Sequence, residues 1–157
     1  MRNKIDNVLR YIVRYYPYGF ELTKTRLTKL IYLIDWESSL EVGEQLTDIE
    51  WYFNHYGPYV SDVFDTADED SDLKIVEKVS NFGTKKFLVE SKIEKSDLQF
   101  ELTGSEMKII DKVINKTQSM NWNEFIDYVY STFPIVKSER YGVLNLVKLA
   151  QEYPKVY

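Results

Sequence analysis

The chain has 157 residues, of which 44% are hydrophobic and 29% charged, so it suits one domain with an ordinary core rather than a disordered segment. It contains no cysteine, which excludes disulfide bonds, thiolate metal sites and a cysteine nucleophile. No apolar stretch approaches the ~18 residues of a membrane span and no apolar leader opens the chain, which predicts a soluble, cytoplasmic protein without a membrane partner.

The first two predicted helices follow from apolar spacing and capping residues. Apolar residues recur at three- and four-residue steps over 3–16, which predicts an amphipathic helix that ends at Pro17. Thr23 is the predicted N-cap of a second helix over 24–42, and Gly43 suits its left-handed C-terminal position. Apolar residues cover more than one face of this second helix. We therefore expect it to be central and heavily buried.

Strand signals follow the second helix. Residues 49–55 alternate between apolar and polar side chains, as expected of a half-buried strand. Residues 74–80 and 85–91 flank the turn sequence at 81–84, which predicts a β-hairpin.

The C-terminal third of the chain predicts three helices. Two capping boxes mark the first two, over 105–118 and 122–132, and Pro134 is expected to close the second of these. A last short helix is predicted over 144–152. The sequence thus predicts one mainly helical α+β domain over residues 1–157, compact, with about five to six helices and a small antiparallel sheet.

Residues 55–64, HYGPYVSDVF, contain the only histidine and a Gly-Pro step. Glycine tolerates backbone angles that other residues avoid, and proline fits the first turn of a helix. Gly57 and Pro58 are therefore predicted to switch the chain from strand to helix, with the helix running from Tyr59 to about Ala67. Asp62 and Asp65 would then lie near its positive end, where carboxylates are favoured.

His55 is the first candidate for catalysis or metal binding. A catalytic or metal role requires partner ligands, and the acidic run that follows has no second histidine and no calcium-loop pattern. We therefore expect His55 to have a hydrogen-bonding role at a strand end. The acidic run from Asp65 to Asp72 is expected to be a solvated loop. No metal or cofactor is predicted.

Two further patterns allow alternative functions. Glu90-Ser91-Lys92 resembles the ExK element of metal-dependent nucleases, but no Pro-Asp partner precedes it, so a nuclease-type enzyme remains the alternative. Lys24, Arg26 and Lys29 lie near a helix start and could meet phosphate, although one helical turn of basic residues usually faces solvent.

The charges along the chain bear on possible partners. The net charge is −5, yet residues 30–73 hold twelve Asp or Glu and no Lys or Arg. An acidic surface attracts cationic partners and repels phosphates. The distribution therefore argues against nucleic acid as a partner.

The helix over 24–42 followed by a strand and the YGP motif resembles the Panacea domain, the SocA-like antitoxin family. The resemblance rests on Lys29-Leu30-Ile31-Tyr32 and on a set of structural positions. These positions are Trp36, Gly43, Gly57, Pro58 and Phe64. It spans nearly the whole chain and is strongest over 22–64.

The resemblance implies a non-catalytic, bacterial or phage antitoxin that neutralises a toxin by direct contact. One branch of the family implies instead a proteolytic adaptor that hands its toxin to a AAA+ protease. Exposed aromatic residues with charge at the rim are typical of strong interfaces. We therefore expect a toxin with a basic surface to dock on Tyr56 and Tyr59, with Asp62, Asp65 and Asp68 around them.

Overall fold

The computed structural model describes residues 2–154, which form a mainly helical α+β fold with two small antiparallel sheets. The helices are α1 (Lys4–Tyr15), α2 (Lys24–Val42), α3 (Asp62–Glu69), α4 (Gly104–Thr117), α5 (Trp122–Ser131), α6 (Phe133–Lys137) and α7 (Leu146–Glu152). The strands are β1 (Trp51–Asn54), β2 (Gly57–Tyr59), β3 (Leu73–Val79), β4 (Lys85–Ser91) and β5 (Gly142–Leu144). The described range thus has one helix more than the sequence predicted, because Pro134 lies in the first turn of the short helix α6.

The helix ends lie where the capping residues predicted them. The Thr23 hydroxyl accepts the Arg26 N–H at the start of α2, and Gly43 ends that helix with a φ of +78°. Both predicted capping boxes are formed, which fixes the first turns of α4 and α5.

Helix α2 is the centre of the core, as its apolar pattern predicted, and it packs against α1, α3, α4 and α7. Its buried Asp35 carboxylate accepts hydrogen bonds from the Thr47 N–H, the Thr47 hydroxyl and the Trp51 indole N–H. Trp36, on the same helix, stacks on Phe133 with ring centroids 6.3 Å apart. The Asp35 hydrogen bonds fix β1 and the chain before it to the central helix, and the Trp36 contact fixes the start of α6 to it.

The three-stranded sheet has the order β2-β1-β5, and all its pairs are antiparallel. Phe53 faces Pro58 and Gly142 on its buried side. Tyr52 faces Tyr59 and Val143 on its exposed side. Because successive residues of a strand point to opposite faces, one face completes the core and the other is open to solvent.

The second sheet is the predicted hairpin of β3 and β4, paired in register from Leu73 with Ser91 to Val79 with Lys85. It joins the main core through the Val89 N–H, which donates to the Leu22 carbonyl before α2. The hairpin prediction is confirmed.

The predicted strand-to-helix switch at Gly57 and Pro58 is wrong. Both residues lie in β2, which pairs back onto β1 as a tight hairpin, and α3 begins only at Asp62. The backbone of Gly57 has a φ of +93°, so the glycine serves a turn that precedes a strand. Pro58 is tolerated there because β2 is an edge strand of its sheet.

The acidic run from Asp65 to Asp72 is not a solvated loop. Residues 65–69 belong to α3, and the buried Asp70 carboxylate accepts two hydrogen bonds of 2.8 Å from the Arg10 guanidinium. Asp72 accepts a third from the same guanidinium at 2.7 Å. Asp70 and Asp72 therefore connect the chain just before β3 to α1 and do not contribute to an open acidic surface.

Candidate functional site

The candidate site is built on the hairpin of β1 and β2. Its turn residues are His55 and Tyr56, and the Tyr56 N–H donates to the Asn54 side chain at 2.8 Å. Asn54 pairs with Gly57 across this two-residue turn, and Gly57 has a left-handed backbone that lets the chain reverse direction. This geometry projects Tyr56 from the turn, and its side chain is 70% exposed.

Gly57 is needed at this position for two reasons. Its φ of +93° is strained for residues with a Cβ. A Cβ would also lie 3.1 Å from the ring of Tyr130, closer than ordinary packing allows. The hairpin therefore sits directly against α5, and the two elements form opposite walls of one pocket.

That pocket has a volume of about 690 Å³ and is mostly apolar. Its lining residues are Thr25, Lys29, Asn54, Tyr56, Tyr59, Trp122, Ile126 and Tyr130. We call it the Lys29 pocket, because Lys29 is the single charged residue in that set. Tyr59, 43% exposed, also belongs to the open face of the three-stranded sheet, so the pocket continues into an exposed aromatic surface.

Lys29 itself is only 3% exposed. It lies in the second turn of α2, the helix at the centre of the core. Burial lowers the pKa of its ammonium to about 8, because the charged form loses hydration. The prediction that Lys24, Arg26 and Lys29 face solvent is therefore wrong for Lys29. It is also wrong for Arg26, which is buried and donates to Tyr16 and to two backbone carbonyls.

The three predicted rim carboxylates lie on one short helix. Asp62, Asp65 and Asp68 are all exposed on α3, where the first two fall in the first turn. They do not line the Lys29 pocket. Phe64, on the same helix, lies against the Lys24 ammonium, which is 4.5 Å from its ring centre and connects α3 to α2.

His55 does not have the predicted hydrogen-bonding role. Its ring packs edge-on against Tyr56 at 4.9 Å, and no side-chain hydrogen bond involves it among residues 2–154. Over the same range no group of three or more His, Cys, Asp or Glu is placed to hold a metal ion. The Glu90-Ser91-Lys92 sequence closes β4 on the second sheet, away from the Lys29 pocket.

Of the eight lining residues, the sequence analysis named Tyr56 and Tyr59 as candidates for partner binding and Lys29 as a possible phosphate contact, and it missed the other five. Trp122 and Tyr130 come from α5, about seventy residues further along the chain, and nothing local connects them to the hairpin. The sequence also indicated that Lys29 could be buried. A lysine inside a helix predicted to be buried on more than one face is a candidate for a site.

The fold and the pocket define a small α+β domain with an aromatic surface suited to protein contact. None of the helices within residues 2–154 is both long and apolar enough to cross a membrane. The model of the family described as Antitoxin SocA-like, Panacea domain, matches residues 27–133, and the chain belongs to this family. Comparison with curated proteins and with solved structures returned no significant match.

Proposed function

We propose that this chain is an antitoxin that neutralises a cognate toxin by direct binding at the surface around Tyr56 and Tyr59. The family supports the antitoxin role, and the observation that supports this surface is an exposed aromatic cluster on a rigid support. In this proposal the protein binds its partner and does not act on it as an enzyme.

Tyr59 is well suited to the centre of an interface. Its backbone is fixed by pairing with Tyr52 in the sheet, and its ring forms one wall of the Lys29 pocket. An aromatic side chain on a fixed backbone loses little conformational freedom when a partner covers it. Binding energy therefore concentrates at such a residue.

The exposed carboxylates of α3 would act at the edge of this surface. Asp62, Asp65 and Asp68 lie outside the pocket, in solvent, where charge acts over the Debye length of about 8 Å at physiological salt. Charges in that position steer encounter more than they hold the complex. The toxin would accordingly carry basic residues opposite α3.

The first experiment expresses the product of the adjacent gene with and without this chain. We expect growth arrest by the neighbour alone and rescue by the antitoxin. Tyr59→Ala should lose rescue and weaken binding by about 2 kcal/mol or more, roughly thirtyfold, as hot-spot aromatics do. Tyr18→Ala is the matched control, because Tyr18 is similarly exposed and lies outside the Lys29 pocket.

A second variant tests the rim. Replacing Asp62, Asp65 and Asp68 with Lys should lower the association rate, and the effect should shrink as salt rises. Asp70, which is buried against Arg10, must be left unchanged so that the fold is preserved.

The outcomes separate three cases. Rescue with a constant amount of toxin supports sequestration, whereas rescue that requires loss of toxin points to the adaptor role with a AAA+ protease. A neighbour that does not inhibit growth, or that is neutralised equally well by Tyr59→Ala, overturns the proposed surface or function.

A further inference from the structure

Lys29 is unlike the other buried cations of the protein. The guanidinium of Arg10 is paired with Asp70 and Asp72, and Arg26 donates to one hydroxyl and two carbonyls. Lys29 is buried to the same extent, but within residues 2–154 its ammonium has neither a hydrogen-bond acceptor nor a carboxylate partner.

The Lys29 ammonium still reaches solvent. Over the described range, Asp6 Oδ1 is the only side-chain polar atom that is both shut off from solvent and without a partner. The ammonium of Lys29 is therefore not sealed in the core. Lys29 lines the Lys29 pocket and also a neighbouring cavity of about 30 Å³, and of these two only the Lys29 pocket is large enough for a side chain of a partner. A charge left unpaired in an apolar site costs folding free energy, and a ligand that supplies the missing charge recovers it.

The chemistry of the pocket selects the ligand. Lys29 is the one charge among the lining residues, so the pocket matches a single negative charge. Its walls are rings and aliphatic groups from Tyr56, Tyr59, Trp122 and Ile126, which favour apolar groups beside that charge. The other two cations of this helix are engaged elsewhere, since Lys24 lies over the rings of Phe64 and Phe87 and Arg26 donates to Tyr16 and to two backbone carbonyls.

From these observations we propose that the Lys29 pocket binds a carboxylate of the partner polypeptide, next to an aromatic or apolar side chain of the same segment. This inference rests on the proposed function, because it assigns the pocket to the toxin. The partner would then be basic where it faces α3 and would carry one inserted acid at the centre.

A phosphate group fits this pocket less well. Phosphate sites in proteins combine several donors, often an arginine fork or free backbone N–H groups at a helix N-terminus. Lys29 lies past the first turn of α2, whose capped end is occupied by Thr23. One ammonium with hydroxyls of Thr25 and the tyrosines supplies what a carboxylate needs.

The test uses short peptides and the lysine side-chain NMR signals of the full chain. N-acetyl-tryptophan offers a C-terminal carboxylate, and N-acetyl-Glu-Trp-amide offers a side-chain carboxylate. N-acetyl-Gln-Trp-amide is the neutral control, and inorganic phosphate is the competing anion. We expect at least one acidic peptide to shift the Lys29 signals and to bind about tenfold or more tightly than the neutral control. The tighter of the two acids identifies the source.

Lys29→Met retains the length and apolar stem of the side chain while removing the charge. It should bind acidic and neutral peptides equally, and it should lose toxin binding while melting no lower than the parent. Equal binding of acid and amide by the parent, preference for phosphate, or unshifted Lys29 signals would each overturn the inference. If Tyr59→Ala abolishes toxin rescue but Lys29→Met does not, the carboxylate inference fails while the proposed function stands.

Discussion

Gly57→Ala is expected to destabilise the protein through two separable effects. The first is conformational, because a φ of +93° places the backbone where a Cβ is strained, which costs about 1–2 kcal/mol. The second is steric, because the new methyl would meet the Tyr130 ring at 3.1 Å. Displacing that ring by a few tenths of an ångström adds roughly 1 kcal/mol, in the range of overpacking. The sum is about 2–3 kcal/mol.

Gly43→Ala separates the two effects. Gly43 also has a left-handed backbone, with a φ of +78°, but a Cβ there meets no atom within 4 Å. It should therefore show the conformational cost alone, about 1–2 kcal/mol. Placing Gly57→Ala in a Tyr130→Ala background should reduce its cost to the same value, because the obstructing ring is gone.

The measurement is urea unfolding followed by tryptophan fluorescence, with the midpoints compared at constant slope. We expect the order parent, Gly43→Ala, Gly57→Ala, from most to least stable. If Gly57→Ala costs no more than Gly43→Ala, or if removing the Tyr130 ring does not relieve it, then the Tyr130 ring does not obstruct a Cβ at position 57.

Three further substitutions test the buried charges. Asp70→Ala should cost about 3–5 kcal/mol in urea unfolding, because it leaves the Arg10 guanidinium without its main partner, whereas the exposed Asp68→Ala should change stability by less than about 0.5 kcal/mol. Lys29→Met should stabilise the free protein by roughly 2–3 kcal/mol at pH 7. The gain should shrink between about pH 8 and pH 10.5, because the native lysine loses its proton earlier than the unfolded one; a gain that does not vary with pH would contradict this. Asp6→Asn should also stabilise, since burial beside Asp70 raises the pKa of Asp6 to about 7. Here the parent loses stability from about pH 4 to pH 7, so the advantage of the variant must grow over that window and then stay constant.

The parts of the fold that were predictable depend on signals within a few residues. The N-caps at Thr23, Thr103 and Asn121 act on backbone N–H groups three residues away, so the sequence alone placed the starts of α2, α4 and α5. The paired strands of the second sheet are joined by a short turn, which is equally local.

The prediction for Gly57 and Pro58 was wrong because the local sequence signals fit two different structures. A glycine followed by proline suits the start of a helix, and it also suits a tight hairpin whose second strand lies at a sheet edge. Pairing with a distant strand favours the hairpin, because β1 also pairs with β5, where Tyr52 lies opposite Val143. The same reason applies to Asp70, whose partner Arg10 lies sixty positions earlier in the chain.

The candidate site was predictable only where it coincides with the turn at Gly57. Tyr56 was accessible to sequence reasoning because turn residues tend to be exposed, and Tyr59 follows the same turn within three residues. The pocket behind them was not, because it forms only when α5 packs against the hairpin at Gly57.

The alternation of β1 has an evolutionary consequence. Its buried residues, Trp51 and Phe53, carry the packing and the Asp35 hydrogen bond, while Tyr52 between them contacts solvent. Mutations at Tyr52, Tyr59 and Val143 can therefore accumulate with little penalty in folding, because the scaffold is inherited through the opposite face. A lineage built on this sheet can change its partner one exposed residue at a time while its architecture stays the same.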